Sequence, residues 1–159
     1  MRLRHLALAA VVVGIGLSSA AVRGLGQAPD PLTGTWMLDA AGSKFSPGPA
    51  PKSLTLKFED TADGVKYQSD LVTTEGQTVH QEFTAKPDGK DYPVANAPFD
   101  TVALTRKGNN RTRVDKKDGK VVMSYDAVLS ADGKTFTVQQ KGTDPTGQAV
   151  SNTVVFKKM

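Results

Sequence analysis

Apolar and polar residues alternate with a period of two through most of this chain after residue 33. Leu54, Leu56 and Phe58, for example, are separated by Thr55 and Lys57. A β-strand turns successive side chains to opposite faces, so this period is typical of strands with one buried face. No stretch of useful length after residue 25 has the 3.6-residue period of a helix. The pattern predicts an all-β domain.

Asp-Gly pairs interrupt the alternation at Asp63-Gly64, Asp88-Gly89, Asp118-Gly119 and Asp132-Gly133. Such pairs supply the positive φ that tight hairpin turns require. The alternation and the turns together predict nine strands, over residues 33–39, 53–59, 64–72, 78–86, 100–106, 111–117, 120–129, 134–142 and 149–157. Because the connections are short, strands that follow each other in sequence are expected to pair in the sheet.

An open sheet of this size with no helix to cover it would leave its apolar face and two edges in water. Closure buries that face, so we predict a single antiparallel up-and-down β-barrel of about 8–10 strands. A two-sheet sandwich is the alternative, which the short hairpins disfavour because a Greek key needs a long return connection. Prolines predict an extended connector over residues 46–51. Residues 91–99, also with prolines, predict either a lid over a barrel mouth or a wide loop.

The start of the chain has the composition of a targeting segment. Two arginines precede an apolar run that is too short to span a bilayer and has the length of a signal-peptide core. Small residues follow, so we predict a signal peptide over residues 1–28, cleaved after Ala28 or earlier, after Ala20 or Ala21. An uncleaved anchor is the alternative. Cleavage would leave a β-barrel domain over residues 29–159, in a periplasmic or secreted protein that is expected to be monomeric and not membrane-spanning.

Charge and composition exclude several functions. Loss of the first 28 residues removes three arginines and no acidic residue, which lowers the formal net charge from +4 to +1. The remaining chain therefore lacks the basic excess of a nucleic-acid-binding protein. The absence of cysteine excludes disulfides, thiolate nucleophiles and Cys-ligated zinc. Only one histidine would remain, which is too few for a His-rich metal site, and we predict no metal and no cofactor.

A short motif at the start of the first predicted strand, Gly34-Thr35-Trp36, resembles that of the calycin group, which contains the lipocalins and the fatty-acid-binding proteins. The runs GTWMLDAAGSKFSPGPAPKS and FTAKPDGKDYPV are similar to small secreted bacterial lipocalin-like proteins, most of them uncharacterised. The resemblance implies that Gly34 and Trp36 plug one end of the barrel and that Lys157 or Lys158 packs over the indole. Fatty-acid-binding proteins end with Thr-Arg-x-Tyr, whose Arg and Tyr clamp the ligand carboxylate. Here the matching residues are Thr153-Val154-Val155-Phe156, so that clamp is missing.

The apolar face of the alternation defines the expected interior of the barrel. That face carries Leu56, Phe58, Tyr67, Leu71, Phe83, Leu104, Met123, Tyr125, Phe136, Val138 and Phe156, and the same parity places Ser69, Gln81, Arg106 and Gln140 inside. A mixture of apolar and a few polar groups is what ligand pockets use to hold and orient a guest. The predicted ligand-binding residues are Tyr67, Gln81, Phe83, Leu104, Arg106, Met123, Tyr125, Phe136 and Gln140.

These residues predict an exported binding protein for a small hydrophobic or amphipathic molecule, oriented by Tyr67, Tyr125 and Gln140. The alternative is a barrel filled by its own side chains, which would act as a structural or interaction module. Arg106 lies at the end of its strand, where it would be either a solvated rim residue or an inward contact for an anionic headgroup.

A basic stretch surrounds the predicted turn after Arg106. The alternation places Arg111 and Arg113 on the outer face of their strand, opposite Thr112 and Val114. There they could make weak contact with the anionic surface of the cell envelope, or they could form an ordinary solvated hairpin.

His80 and Glu82 share one strand face, as a catalytic base and its orienting carboxylate would. Their face is polar and is expected to meet water. No Gly-x-Ser-x-Gly turn and no phosphate-binding glycine loop accompanies them. A small barrel enzyme is therefore the least favoured of the three functions, and we predict no catalytic residue.

Overall fold

The computed structural model describes residues 29–159, and the predicted signal peptide over residues 1–28 lies outside them. The described residues form ten strands: β1 (Gly34–Leu38), β2 (Ser53–Thr61), β3 (Gly64–Val72), β4 (Thr78–Ala85), β5 (Asp88–Pro93), β6 (Thr101–Lys107), β7 (Asn110–Lys117), β8 (Lys120–Leu129), β9 (Thr135–Thr143) and β10 (Ala149–Lys158). Among residues 29–159, no helix is long and apolar enough to cross a bilayer.

All ten strands belong to one antiparallel sheet, in the order β4-β3-β2-β1-β10-β9-β8-β7-β6-β5. Strands that are consecutive in sequence pair with each other, and the first strand pairs with the last through Trp36 opposite Lys158. The exception is β4 and β5, which form the two edges of the sheet. The predicted up-and-down antiparallel barrel is therefore confirmed, with one interruption in its wall between β4 and β5.

Nine of the ten strands match the nine predicted ones, with each boundary within two residues. The strand that was not predicted is β5, because residues 91–99 were interpreted as a lid or a wide loop and Asp88-Gly89 as a turn. Instead, Asp88 begins β5, and a register shift between Asp88 and Asp91 adjusts its pairing with β6. Pro93 ends this strand, where a missing N–H removes no bond from the interior of the sheet. Between β5 and β6, residues 94–100 are irregular.

The two ends of the barrel differ in what closes them. At one end, here called the floor, the chain before β1 lies beside the hairpins that join β2 to β3 and β6 to β7, as the bonds of Asp30 to Asp60 and Arg106 show. The other end, here called the mouth, carries the connector between β1 and β2. This connector contains no helix, as predicted, and it runs beside β10, where Ser151 N donates to Ser46 O over 2.7 Å.

Two groups of buried side chains stabilise the barrel. The larger packs around Trp36 and includes Leu56, Phe136, Val154 and Phe156. The smaller one brings Phe83 and Ala85 of β4 against Val102 of β6, with Tyr92 of β5 packed beside them. Side-chain packing therefore closes the wall where β4 and β5 form no ladder.

Candidate functional site

The interior of the barrel contains a cavity of about 1070 Å³ that extends to the mouth. Ligand pockets of proteins commonly measure about 300–1,000 Å³, so this space is large enough for one small molecule. At the mouth it is lined by Pro47, Pro49 and Pro51 of the connector, and by Thr74 and Pro145 of two hairpins. The barrel is thus not filled by its own side chains.

Every residue predicted to bind a ligand lies on the wall of this cavity: Tyr67, Gln81, Phe83, Leu104, Arg106, Met123, Tyr125, Phe136 and Gln140. The strand register explains why they share one face. Tyr67 lies opposite Phe58 on one neighbouring strand and Phe83 on the other. Tyr125 lies opposite Gln140. Directly opposed residues of an antiparallel pair point to the same side of the sheet. Once one residue is known to face the interior, its partner on the next strand must face the interior as well.

The predicted outward orientation of Arg111 and Arg113 is wrong. Both side chains line the cavity and are only 11% and 12% exposed. Arg113 is paired in register with Leu104 and Tyr125, which both face inward. The expectation that charge faces water failed because each arginine finds a carboxylate inside the barrel. With these side chains buried, the hypothesis of envelope contact through this pair loses its basis.

Arg113 forms the centre of the cavity wall. Its Nε and Nη2 donate to Oδ1 and Oδ2 of Asp115 over 2.7 and 2.9 Å, and Nη2 also donates to Oε1 of Gln81 over 2.9 Å. The guanidinium carbon lies between 4.8 and 5.4 Å from the centres of four aromatic rings, those of Tyr67, Phe83, Phe99 and Tyr125. Forked ion pairing and ring contacts together compensate the guanidinium for the loss of water.

Burial alone would lower the pKa of Arg113, but Tyr125, Tyr67 and Asp115 outweigh it, and the net shift is upward. Burial also raises the pKa of Tyr125. Tyr125 therefore stays protonated, and its hydroxyl donates a hydrogen bond to Oδ2 of Asp115 over 3.2 Å. Arg113, Asp115 and Tyr125 form one hydrogen-bonded network in which the positive and the negative charge are adjacent.

A second charged network closes the floor of the cavity around Asp30, which is 7% exposed. Its two carboxylate oxygens accept hydrogen bonds from Nη1 of Arg106 over 2.8 Å and from Nη2 of Arg111 over 2.7 Å. Burial raises the pKa of Asp30, but bonds from the Leu32 amide and from both arginines outweigh it, so the pKa lies below its usual value of 3.8. Asp30 is an ionised part of the floor.

Asp30 was not among the predicted residues, because it precedes the first strand and no alternation signals its direction. Arg106, which was predicted as either a rim residue or an inward contact for an anion, lines the cavity with one third of its side chain exposed. Its positive charge is paired with Asp30 of the same chain.

Trp36 also lies at the floor and is completely buried. Its indole Nε1 donates to the carbonyl of Leu32 over 2.8 Å, and Nζ of Lys158 lies 5.3 Å from the ring centre. Of the two lysines expected over the indole, Lys158 occupies that place. A Cβ on Gly34 would stand 3.1 Å from Cε of Lys158, so the small residue leaves room for the lysine stem.

His80 and Glu82 lie on the outer face of β4 and make separate contacts. Nδ1 of His80 lies 2.7 Å from Oδ1 of Asp70, and the His80 side chain is 51% exposed. Glu82 accepts a bond from Gln68 over 3.1 Å. Gln81, between them, turns into the cavity, which keeps the imidazole on the opposite side of the sheet from the pocket.

Several solved structures resemble this chain, and three of them illustrate the likeness. A point mutant of the fluorescent protein UnaG shares 15% sequence identity over 81% of this chain and 96% of its own, with a TM-score of 0.52. The zebrafish ileal bile-acid-binding protein, complexed with cholic acid, shares 10% identity over 82% of this chain and 100% of its own, with a TM-score of 0.47. The siderocalin Ex-FABP shares 10% identity over 82% and 75%, with a TM-score of 0.39.

At these identities the likeness to UnaG shows a shared fold, the calycin-type barrel, and nothing more. No protein-family model matches the chain. No curated protein matches it either.

Proposed function

We propose that this protein is an exported carrier that holds one small hydrophobic or amphipathic molecule inside its barrel. The observation that carries the proposal is the cavity of about 1070 Å³ in the barrel interior. Its wall combines large apolar surfaces with a few fixed polar groups, which is the composition of pockets that bind small organic molecules.

The apolar part of the wall surrounds the guest on several sides. Leu56, Phe136 and Val138 approach it from β2 and β9, and Leu104 and Met123 approach it from β6 and β8. Burying an apolar guest against these side chains removes surface from water on both partners, which supplies the free energy of binding at roughly 25 cal/mol per Å² before the costs of association.

The polar part of the wall would orient the guest. Asn152 Nδ2 donates to Oε1 of Gln140 over 2.9 Å, which fixes that amide and leaves its Nε2 group to the cavity. Tyr67 stacks on Phe83 with ring centres 4.7 Å apart, which fixes the direction of its phenol. These are preorganised groups of the kind that select a binding pose, because little freedom is lost when the guest arrives.

Binding is tested with Nile red, an uncharged dye whose fluorescence rises in apolar surroundings. The purified protein is expected to bind it, and the variant Leu71→Trp/Met123→Trp, which narrows the cavity, is expected to bind at least about tenfold more weakly. The control variant is Val121→Trp/Val128→Trp, which places the same two side chains on exposed positions of β8. Dye that binds only unfolded protein, or equal affinity in both variants, would refute the carrier function.

Export rests on the residues of the targeting segment, and its test is separate. We expect the full-length chain, expressed in its native host, to be recovered from the periplasm or the medium with its N-terminus at one of the predicted cleavage positions after Ala20, Ala21 or Ala28. Mass spectrometry of the intact protein measures that N-terminus. An uncleaved chain that stays in the cytoplasm would contradict export while leaving the binding function open to the dye measurement.

A further inference from the structure

We infer that the cavity selects uncharged ligands and rejects carboxylates, because the arginine at its centre is already neutralised by an aspartate of the same strand. This inference rests on the proposed carrier function and specifies which class of small molecule the cavity takes.

The first observation is the pairing of Arg113 with Asp115. The fork-like contact of 2.7 and 2.9 Å engages both carboxylate oxygens, and Asp115 is only 1% exposed. An anionic guest that approached Arg113 would therefore face a pair whose net charge is zero. To use the arginine it would have to displace Asp115, which would leave that carboxylate buried without a counter-charge.

The second observation is the balance of charge over the whole cavity wall. Four acidic side chains line it, and four basic ones: Asp30, Asp60, Asp115 and Asp144 against Arg106, Arg111, Arg113 and Lys117. Each basic group also has a carboxylate within ion-pair distance. Arg106 and Arg111 bind Asp30 at the floor, and Lys117 lies 2.6 Å from Asp100. Every basic side chain that lines the cavity therefore has a carboxylate partner, although Arg106 and Arg111 share Asp30, and Nε of Arg111 is buried without a hydrogen-bond partner among the described residues.

The third observation is which polar groups face the cavity after this pairing. Arg113 donates a hydrogen bond to Oε1 of Gln81, and Asn152 donates one to Oε1 of Gln140. These bonds use the carbonyl oxygens of the two glutamines and leave their NH₂ groups as donors. A neutral amide or a phenol can donate a hydrogen bond to the oxygen of an alcohol, ester or amide. Such a bond does not compensate the free energy that a full negative charge loses when it leaves water. The preferred guest is therefore an uncharged amphipathic molecule that carries such an oxygen.

The test is a set of three ligands that share one ten-carbon chain: decanoate, decanamide and methyl decanoate. Each competes with Nile red for the purified protein at neutral pH, where decanoic acid is ionised. We expect decanamide and methyl decanoate to displace the dye at concentrations at least about tenfold lower than decanoate does, because the buried anion finds no free counter-charge.

The variant Asp115→Asn frees the charge of Arg113 while keeping the size of the side chain. It is expected to bind decanoate at least about tenfold more tightly than the unmodified protein does, with decanamide changed by less than about threefold. The matched control is Asp132→Asn, which removes the same charge outside the cavity wall, in the turn between β8 and β9, where Asp132 accepts bonds only from residues of that turn. This control should leave the ratio of the affinities for decanoate and decanamide unchanged.

The possible outcomes separate this inference from the carrier function. If decanoate binds the unmodified protein as tightly as decanamide, charge selection is refuted while the carrier function stands. If Asp115→Asn folds and gains no affinity for decanoate, the role given to the Arg113–Asp115 pair is refuted. If that variant does not fold, the ligand ratio in the unmodified protein decides alone. If neither the dye nor any of the three ligands binds the folded protein, the carrier function fails and this inference fails with it.

Discussion

The ion pair between Arg113 and Asp115 can be tested by removing each partner alone and then both. The variants are Arg113→Met, Asp115→Asn and the double variant. Methionine keeps much of the apolar stem of the arginine, and asparagine keeps the shape of the aspartate. The quantity of interest is the free energy of unfolding of each variant relative to the unmodified protein.

The structure gives the expected magnitude of each change. Both side chains are nearly buried, at 12% and 1% exposure, and the fork-like contact engages both oxygens of Asp115. Removing one partner of such a pair leaves the other buried and uncompensated, which costs about 3–5 kcal/mol. A barrel of this size is expected to have roughly 7–20 kcal/mol of total stability, so each single variant should still fold. The double variant leaves no unpaired charge, so it avoids that cost, and it should lose only about 1–3 kcal/mol because Oε1 of Gln81 no longer has its donor.

Urea unfolding, followed by the fluorescence of the single tryptophan, Trp36, measures these values. The matched control applies the same chemistry to Asp100 and Lys117, whose side chains are 43% and 50% exposed. Each of those changes should cost much less than the buried ones, because water screens exposed charges, and the costs should add. If the double variant at Arg113 and Asp115 loses as much as the two single variants together, the two charges do not stabilise each other, and the argument for a neutralised cavity is wrong.

Three further predictions concern the floor of the barrel. Because the pKa of Asp30 in the folded protein lies below its usual value of 3.8, its contribution to stability is complete above that pH and is lost as the pH falls through the folded pKa. Asp30→Asn should therefore lower stability at neutral pH by about 1–3 kcal/mol and flatten its loss in acid, as urea unfolding at several pH values would show. Trp36→Phe should cost about 2–4 kcal/mol in urea unfolding followed by circular dichroism, because it leaves the carbonyl of Leu32 unpaired and opens a void; a loss below 1 kcal/mol would contradict this. Gly64→Ala should cost about 2–3 kcal/mol by the same measurement. A Cβ on Gly64 would lie 2.6 Å from the carbonyl oxygen of Ala85, and the backbone there has a φ of +131°. The control Gly147→Ala, with open space around the added Cβ, should cost less.

Much of the barrel could be predicted because its strands obey one simple rule. Where one face of a strand is apolar, as on β3 and β9, parity alone assigns every side chain to the interior or to the surface. Antiparallel pairing then extends the assignment from strand to strand. The positions of Tyr67, Gln81 and Gln140 on the cavity wall follow from that parity, including the polar ones, without any knowledge of what they contact.

The same rule failed on β7, and the reason is physical. The inward residues of β7 are Arg111, Arg113 and Asp115, whereas its outer face carries Thr112 and Val114. A rule that places charge in water inverts this strand, because it ignores compensation by carboxylates inside the barrel. Asp115 compensates Arg113 from two residues away on the same face, and Asp30 compensates Arg111. Asp30 precedes Arg111 by 81 residues, and no local pattern relates the two.

β5 was missed for a similar reason. Its residues are polar, its Asp-Gly pair imitates a turn, and it ends in Pro93. It forms a strand because its backbone pairs with that of β6, and because Tyr92 packs beside Phe83 and Val102. Edge strands receive half of the usual pairing, so their sequences are less constrained than those of interior strands.

Two residues that help to complete the barrel wall at β4, Gln81 and Phe83, also line the cavity. β4 and β5 share no ladder, yet Gln81 of β4 accepts a hydrogen bond from Arg113 of β7, and Phe83 of the same strand lies against the guanidinium. Arg113 in turn holds its place because Asp115 neutralises it. A single network therefore joins the open edge of the sheet to the ion pair, so a guest that engaged Arg113 by displacing Asp115 would also loosen the contact that holds β4 in the wall. A guest that leaves the pair intact keeps the wall closed around itself, which is a structural reason, independent of charge balance, for the cavity to favour uncharged molecules.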